Sequence, residues 1–191
     1  MITSTYEPRT YRTHMARSGL VGFRVVVKET DLWVLAARDF TREVRELVVQ
    51  ERQQLEAYIA GHPDFLTTLV PWPEDPFAPP VVREMIAAAA ATGVGPMAAV
   101  AGALAARVGI ACTPLTAEVI VENGGDIYLK VTQPATVALF AGKSPLSHRV
   151  GPLRRSACQA APHAAPPSAR FSPMTRSRLA WSASSAGEEP R

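Results

Sequence analysis

The feature that most constrains this 191-residue chain is a stretch rich in glycine and alanine, GVGPMAAVAG, at residues 93–102. The alanine-rich apolar run before it, residues 85–92, predicts a helix. Gly93 is suited to end that helix, because glycine adopts the left-handed conformation without a Cβ penalty. Pro96 is suited to the first turn of a new helix, since the amide that proline lacks has no intrahelical partner there. The sequence therefore predicts two helices joined by a tight turn.

The second helix is predicted over residues 96–108, with Gly109 as its stop. Most of its side chains are so small that another backbone or a ligand can approach closely. The small residues are Ala98, Ala99, Ala101, Gly102, Ala103, Ala105 and Ala106.

Two interpretations of the turn stay open. In the first, Gly93, Gly95 and Pro96 shape the turn, and the amides of Met97 and Ala98 hold a phosphate or carboxylate at the positive end of the helix. In the second, the glycines serve only the close packing of two helices on a sheet. The stretch is neither a complete dinucleotide fingerprint nor a phosphate-binding P-loop, so local sequence favours packing.

A membrane span is a third interpretation of this region. Residues 85–106 contain no charged side chain and are long enough to cross a bilayer. Alanine and glycine supply most of the stretch, however, and the sequence GVGP interrupts it. We expect no membrane association.

The charge distribution argues against nucleic acid as a partner. The net charge is +3, but residues 152–191 carry six Arg and two Glu. The first 151 residues hold 14 basic and 15 acidic side chains and therefore have a net charge of −1. The part of the chain expected to fold is not basic, and we predict no nucleic-acid binding.

The two cysteines, Cys112 and Cys158, stand in no motif and are typical of a reducing compartment. The N-terminal residues include basic side chains but no apolar segment after them, so they do not resemble a secretory signal. We predict a cytoplasmic protein. A homo-oligomer is left open.

The remaining elements predict an α+β fold with an antiparallel sheet packed on helices. Asp39 is the predicted cap of a long helix that ends at Gly61, with its charged face, including Glu51, in solvent. A proline-rich connection follows at residues 69–80. Strands are expected where β-branched and aromatic residues cluster, at residues 20–28, 32–37, 117–121, 127–132 and 136–140. The first two strands form a hairpin connected by Glu29, Thr30 and Asp31.

The second strong motif, VENGGDIYL at residues 121–129, is predicted to connect two strands through Glu122, Asn123, Gly124, Gly125 and Asp126. One interpretation is that the glycines bring the backbone close to a ligand. Glu122 or Asp126 would then bind a sugar hydroxyl or a hard cation. The other interpretation is a longer hairpin loop with solvated carboxylates. The residues alone favour this second one.

The third motif, AGKSPLS at residues 141–147, contains Gly-Lys-Ser but is not a P-loop. The first glycine of a P-loop would stand at Val137, and Pro145 blocks the helix that should follow. As a loop after a strand, it could still present Lys143, Ser144 and Ser147 to a ligand.

The three motifs in this order resemble an uncharacterised prokaryotic family related to ApbE, the FAD-dependent FMN transferases formerly assigned to thiamine biosynthesis. The segments ETDL at residues 29–32 and ERQQLEAYIAGHPDF at residues 51–65 are similar to that family too. The resemblance covers residues 11–151. The link to the ApbE proteins themselves depends on Gly124-Gly125-Asp126-Ile127, which is similar to the Gly-Gly-Asp segment of their flavin site.

The resemblance implies a T-fold-like α+β domain whose glycine-rich turns line a pocket for a small flavin or nucleotide ligand. FAD and Mg²⁺ are the implied cofactors, and Asp126 is the implied metal ligand. The implied binding residues are Gly93, Gly95, Pro96, Met97, Ala98, Glu122, Asn123, Gly124, Gly125, Asp126, Ser144 and Ser147.

The chain departs from the family pattern after residue 151. The family continues with Cys-Thr-Ser-Ser-Gly, Gly-His-Ser and Ala-Asp-Ala segments, the last in the magnesium-binding region, and none of them is found here. Residues 152–191 are rich in Ala, Ser, Pro and Arg without a sustained period. We therefore expect a partial domain over residues 1–151 and a disordered or out-of-frame tail over residues 152–191.

The expected function is that of an ApbE-like protein associated with a flavin or nucleotide, related to FMN transferases and impaired by truncation of the C-terminal motifs. The alternative is a non-catalytic module for small-ligand binding or assembly, in which the glycine turns serve packing.

Overall fold

A computed structural model of the chain describes residues 9, 11–12, 15–137 and 153–154. Its architecture is α+β, with a four-stranded antiparallel sheet and three α-helices. The strands are β1 (Val21–Val27), β2 (Thr30–Ala36), β3 (Val119–Asn123), β4 (Asp126–Lys130), β5 (Ala135–Thr136) and β6 (Leu153–Arg154); the helices are α1 (Thr41–Gly61), α2 (Pro80–Thr92) and α3 (Val100–Cys112).

The sheet has the order β1-β2-β3-β4, and every neighbouring pair is antiparallel. Both hairpins have two-residue loops, because Val27 pairs with Thr30 and Asn123 pairs with Asp126. The predicted antiparallel sheet on helices is therefore confirmed. Five residues that were expected in the connecting loops belong to the strands instead: Thr30, Asp31, Glu122, Asn123 and Asp126.

The central strands β2 and β3 are buried on both faces. On one face, Val34 and Val121 pack with Val48 of α1 and Ala105 of α3. On the other face, Leu35 and Ile120 form a smaller core with Met15, Val131 and Ala135. Residues that alternate along a strand point to opposite faces. Two apolar faces therefore explain why these strands are nearly continuous apolar runs.

A second helical core joins α2 to the end of α1 and to α3. Phe65, at the 3₁₀ turn Pro63–Leu66, is fully buried and meets Trp72 edge to face with ring centroids 5.5 Å apart. Trp72 thereby anchors the predicted proline-rich connection to the core. Phe77, in the same connection, is 96% exposed and does not pack.

The ends of α1 differ slightly from the prediction. Phe40 directly precedes the helix, while the Asp39 carboxylate accepts a hydrogen bond of 2.7 Å from the amide of Thr41. Gly61 is the last helical residue rather than the residue beyond it. The expectation that Glu51 lies on a solvated face is wrong: Glu51 is only 3% exposed, because α2 and α3 cover this side of α1.

The helix after the glycine-rich turn begins and ends later than predicted. Pro96 begins a short 3₁₀ turn, Pro96–Ala99, and α3 follows from Val100 to Cys112. Gly109 is therefore inside α3 and does not end it. A Cβ at Gly109 would overlap the Tyr128 ring on β4, so the missing side chain lets α3 approach the sheet.

The predicted strand over residues 136–140 is described only at its beginning, where β5 pairs antiparallel with β6. Lys143, Ser144 and Ser147 lie outside the described residues, and so does the tail apart from Leu153 and Arg154. The expected division at residue 151 stays a prediction.

Within the described residues, none of the helices is by itself long and apolar enough to cross a membrane. Together, α2 and residues 96–112 have the length and composition of a span, but a bend of 106° separates them.

Candidate functional site

The glycine-rich turn is held against the chain's own backbone. Gly93 ends α2 in the left-handed conformation, with φ 72°, as the sequence predicted. Gly95 is buried, and a Cβ there would overlap the carbonyl oxygen of Thr68. The space beside Gly95 is therefore occupied by the segment that follows the 3₁₀ turn Pro63–Leu66. This contact gives Gly95 a packing role.

Several backbone amides of this turn donate hydrogen bonds to carbonyl groups of the turn itself. The amide of Ala98 donates to the carbonyl of Gly95 at 3.1 Å, and the amide of Val100 donates to the carbonyl of Met97. The Met97 side chain packs on the helical core, and Pro96 is buried. Ala98 is exposed, so its small side chain faces solvent.

The β3–β4 hairpin is a tight two-residue turn. Gly124 and Gly125 have φ values of 63° and 107°, which side chains rarely tolerate. The turn therefore requires both glycines for its conformation, independently of any ligand.

The hairpin and α3 meet at the point where both carry predicted site residues. Asn123 is buried, and its Nδ2 donates to the carbonyl oxygen of Ala101 at 3.0 Å. A Cβ at Gly102 would lie 3.7 Å from Cγ of Asp126, which is ordinary contact. The structure therefore brings Asn123 and Asp126 together with the small residues at the beginning of α3.

Asp126 is the carboxylate of the hairpin that remains exposed. Neighbouring protein atoms still remove part of its hydration, and this loss, with the negative charge of Glu122, raises the pKa of the Asp126 carboxyl above its ordinary value. A carboxyl group in this environment favours a proton or another positive charge.

Glu122, by contrast, is completely buried and bound by protein groups. Its Oε1 accepts hydrogen bonds from the Tyr11 hydroxyl at 2.7 Å and from the Gly125 amide at 2.8 Å. Its Oε2 accepts from Nε of Arg12 at 2.7 Å and lies 2.6 Å from Nη2 of the same side chain. In this arrangement Glu122 fixes the turn to the N-terminal segment.

Arg12 connects the two hairpins of the sheet. Besides Glu122, its guanidinium binds Asp31 of β2, with Nη1 2.8 Å from Oδ1 and Nη2 2.7 Å from the backbone oxygen. Burial lowers the pKa of Arg12, but the hydrogen bond to Asp31 and the charge of Glu122 more than offset this, so the net shift is upward. Burial, followed by the hydrogen bond to Glu122, also raises the pKa of Tyr11.

Sequence reasoning missed the importance of Arg12, Asp31 and Glu51. An Arg in an N-terminal segment has no periodic pattern, and Asp31 resembled a turn residue. A signal was present for Asp31, because a carboxylate directly before the apolar run LWVLAA has to lie either in a solvated loop or against a positively charged partner. The register of the β1–β2 hairpin decides between these alternatives, and the apolar pattern of the strands did not determine that register.

The described residues contain no group of three or more His, Cys, Asp or Glu side chains placed to hold a metal ion. Asp126 is therefore a single exposed carboxylate. Magnesium in proteins often relies on one or two carboxylates together with phosphate oxygens of a ligand. Asp126 could therefore hold Mg²⁺ only together with phosphate oxygens of a bound ligand.

Comparison with known proteins gives a family match. The sequence model of the family described as AbpE bacteria matches residues 12–161. A UPF0280 protein of Methanosphaerula palustris is 42% identical over 125 residues, which cover 64% of this chain and 52% of the relative. A UPF0280 protein of Methanocaldococcus jannaschii is 36% identical over 130 residues, covering 67% of this chain and 52% of the relative.

A UPF0280 protein of Methanocella arvoryzae is 40% identical over 121 residues, covering 63% of this chain and 49% of the relative. The chain thus spans about half the length of the curated relatives it matches. The matched region includes α1, α2, α3, the β3–β4 hairpin and Arg12.

Proposed function

Because this chain belongs to the family described as AbpE bacteria, we propose that it is an ApbE-like protein that binds a flavin or nucleotide. The ligand would lie on the surface where the beginning of α3 meets the β3–β4 hairpin. FAD would supply the group for transfer, and the activity of the whole protein would be related to FMN transfer.

The observation that supports this proposal is the convergence of small residues with one exposed carboxylate. Gly102 faces Asp126, and a Cβ there would be in ordinary contact with its carboxylate, 3.7 Å from Cγ. The hydrogen bond from Asn123 to Ala101 fixes the distance between the two elements. A flat ring could approach the small residues of α3, while Asp126 would contact a hydroxyl group or a Mg²⁺ ion shared with phosphate oxygens.

The second candidate is a non-catalytic module for ligand binding or assembly. The close contacts of Gly95 with Thr68 and of Gly109 with Tyr128 favour it, because they explain both glycines by packing. This candidate predicts that replacing Asp126 has no effect on any flavin interaction.

The test is to titrate the chain with FAD, with and without Mg²⁺, and to follow flavin fluorescence. We expect binding that Mg²⁺ strengthens. Asp126→Asn should abolish most of the Mg²⁺ effect, lowering affinity about tenfold, since loss of a charged ligand weakens a cation site by this order. The Mg²⁺ effect should also grow as pH rises through the raised pKa of Asp126, because the cation competes with a proton.

Asp64→Asn is the matched control, because Asp64 is an exposed Asp outside the proposed surface. It should leave both affinities unchanged. Absence of FAD binding at protein concentrations of about 100 μM, well above the range typical of cofactor sites, would refute the flavin proposal. Binding that Asp126→Asn leaves unaltered would support the second candidate.

A further inference from the structure

A second group of charged side chains lies between the three helices, in which Glu51 is buried while Arg107 and Glu84 are 28% and 39% exposed. Arg107 of α3 donates to Oε1 of Glu51 on α1 from Nε at 2.9 Å and from Nη2 at 2.8 Å. Its Nη1 reaches Oε1 of Glu84 on α2 at 3.4 Å. One guanidinium therefore lies against two carboxyl groups.

The second oxygen of Glu51 lacks a hydrogen-bond partner. Glu51 is 3% exposed, and within the described part of the chain no donor reaches its Oε2. A buried carboxylate oxygen without a donor loses hydration without compensation, which is costly. A proton donated to this oxygen would therefore remove an unsatisfied buried acceptor.

The charges of the group do not balance either. If both carboxyl groups were ionised, two negative charges would face the single positive charge of Arg107. Arg83 of α2 also acts on Glu84, but it is exposed and only weakly favours ionisation. The charged groups that act on Glu84 from the packed helices are thus Arg107, Glu51 and Arg83.

We propose that Glu51 and Glu84 form a proton-binding site, in which Glu84 carries one proton and donates it to Oε2 of Glu51. The pair then bears a single negative charge opposite Arg107, and the oxygen that lacked a donor gains one. The proton does not react; it is bound on folding and released when the helices separate. The site makes the packing of α1, α2 and α3 sensitive to pH.

The pKa of Glu84 supports the same assignment. Burial raises it above the ordinary value of 4.5, and the nearby Arg107 lowers it by less. A carboxyl whose folded pKa is raised binds more protons in the folded than in the unfolded state between the two values. The stability it contributes is therefore present below 4.5 and is lost as pH rises through the folded pKa.

The experiment compares the wild-type chain with Glu84→Gln. The Gln amide can donate permanently to Oε2 of Glu51 but cannot titrate. In protein labelled with ¹³C-glutamate, we expect one Cδ signal that titrates above 4.5 in the wild type and is absent from Glu84→Gln. In urea unfolding, the wild-type folding equilibrium constant should fall relative to the variant as pH rises, by up to about tenfold per pH unit for one proton.

Glu74→Gln is the matched control, because Glu74 is exposed and outside the group. Its pH profile should parallel that of the wild type, and the signal above 4.5 should persist. Two results overturn the proposal: no Cδ signal that titrates above 4.5 and depends on Glu84, or parallel stability profiles for the wild type and Glu84→Gln.

Discussion

The hairpin end of the sheet and the layer of three helices each contain an Arg that contacts two carboxylates, but the two groups differ in burial and in how completely their atoms are partnered. Both oxygens of Glu122 accept hydrogen bonds, from Arg12, Tyr11 and Gly125. Between the helices, Oε2 of Glu51 has no partner among the described residues. In the first group both carboxylate oxygens of Glu122 are therefore satisfied, whereas in the second group one buried oxygen of Glu51 lacks a donor.

This difference shows that burial of an Arg–carboxylate group does not by itself define its role. A buried pair whose atoms are all satisfied costs much to break, although it adds little net stability over apolar packing. Such a group specifies register: Arg12 can contact Asp31 and Glu122 only if β2 and β3 are aligned as observed. A group with an unpartnered carboxylate oxygen can instead bind a proton, so that its contribution to stability depends on pH.

Breaking the satisfied group should have the largest effect on stability. Arg12→Met leaves Asp31 and Glu122 with less positive charge in a buried site, and we expect a loss of about 3–5 kcal/mol in the free energy of unfolding. Urea denaturation monitored by tryptophan fluorescence measures it. Arg42→Met is the control, because the Arg42–Glu46 pair is 88% and 67% exposed and its loss should change the stability far less. Equal losses in both variants would show that the Arg12 group does not hold the sheet end.

The helical layer depends on close backbone contact as well as on charge, and Gly95→Ala tests this. The added Cβ would overlap the Thr68 carbonyl, and the backbone has to move. We expect a loss of about 1–3 kcal/mol, the scale of overpacking, measured by thermal and urea unfolding. Gly61→Ala is matched to it, since a Cβ at the end of α1 meets nothing within 4 Å. That variant should be neutral or slightly stabilising, and an equal loss in both would remove the argument for close packing at Gly95.

The sequence was sufficient to predict the elements whose signals are local. Gly93 as the end of α2 and the two hairpins follow from backbone preferences of single residues or short runs. The α+β architecture with an antiparallel sheet on helices could also be predicted, because apolar patterns differ between strands and helices.

The remaining features depend on contacts between distant residues. Gly109 resembled a helix stop but accommodates Tyr128, which is 19 positions away along the chain. Glu51 resembled a solvated residue because its partner, Arg107, stands on α3, 56 positions away along the chain. The candidate site could be predicted only in part. Asp126 is exposed beside α3, whereas Glu122 is bound by Arg12 and Tyr11. The N-terminal segment that holds these two residues has no sequence pattern that would have predicted this contact.

A third carboxylate, Glu118 beside β3, sharpens the comparison because its pKa moves in the opposite direction to that of Glu84. Burial alone would raise the pKa of Glu118, but hydrogen bonds from Arg17 and Thr132 dominate and lower it from 4.5 to about 2. The stability it contributes is present above 4.5 and is lost as pH falls toward 2. Glu118 retains some contact with solvent, so we expect a modest loss of about 1 kcal/mol across this range.

Glu118→Gln should flatten the stability curve below pH 4.5, because the Glu118 carboxyl binds its proton more readily in the unfolded chain. Glu84→Gln should flatten the curve above pH 4.5, because the Glu84 carboxyl binds its proton more readily in the folded chain. Urea unfolding of the two variants and the wild type between pH 2 and pH 7 separates the two effects, a range that spans both sides of 4.5. Arg17→Gln should reproduce the acid-side change, since it removes the charge that favours ionised Glu118. A Glu118→Gln curve that is still as steep as the wild type below 4.5 would assign acid sensitivity to other carboxylates and leave Glu118 as a structural contact alone.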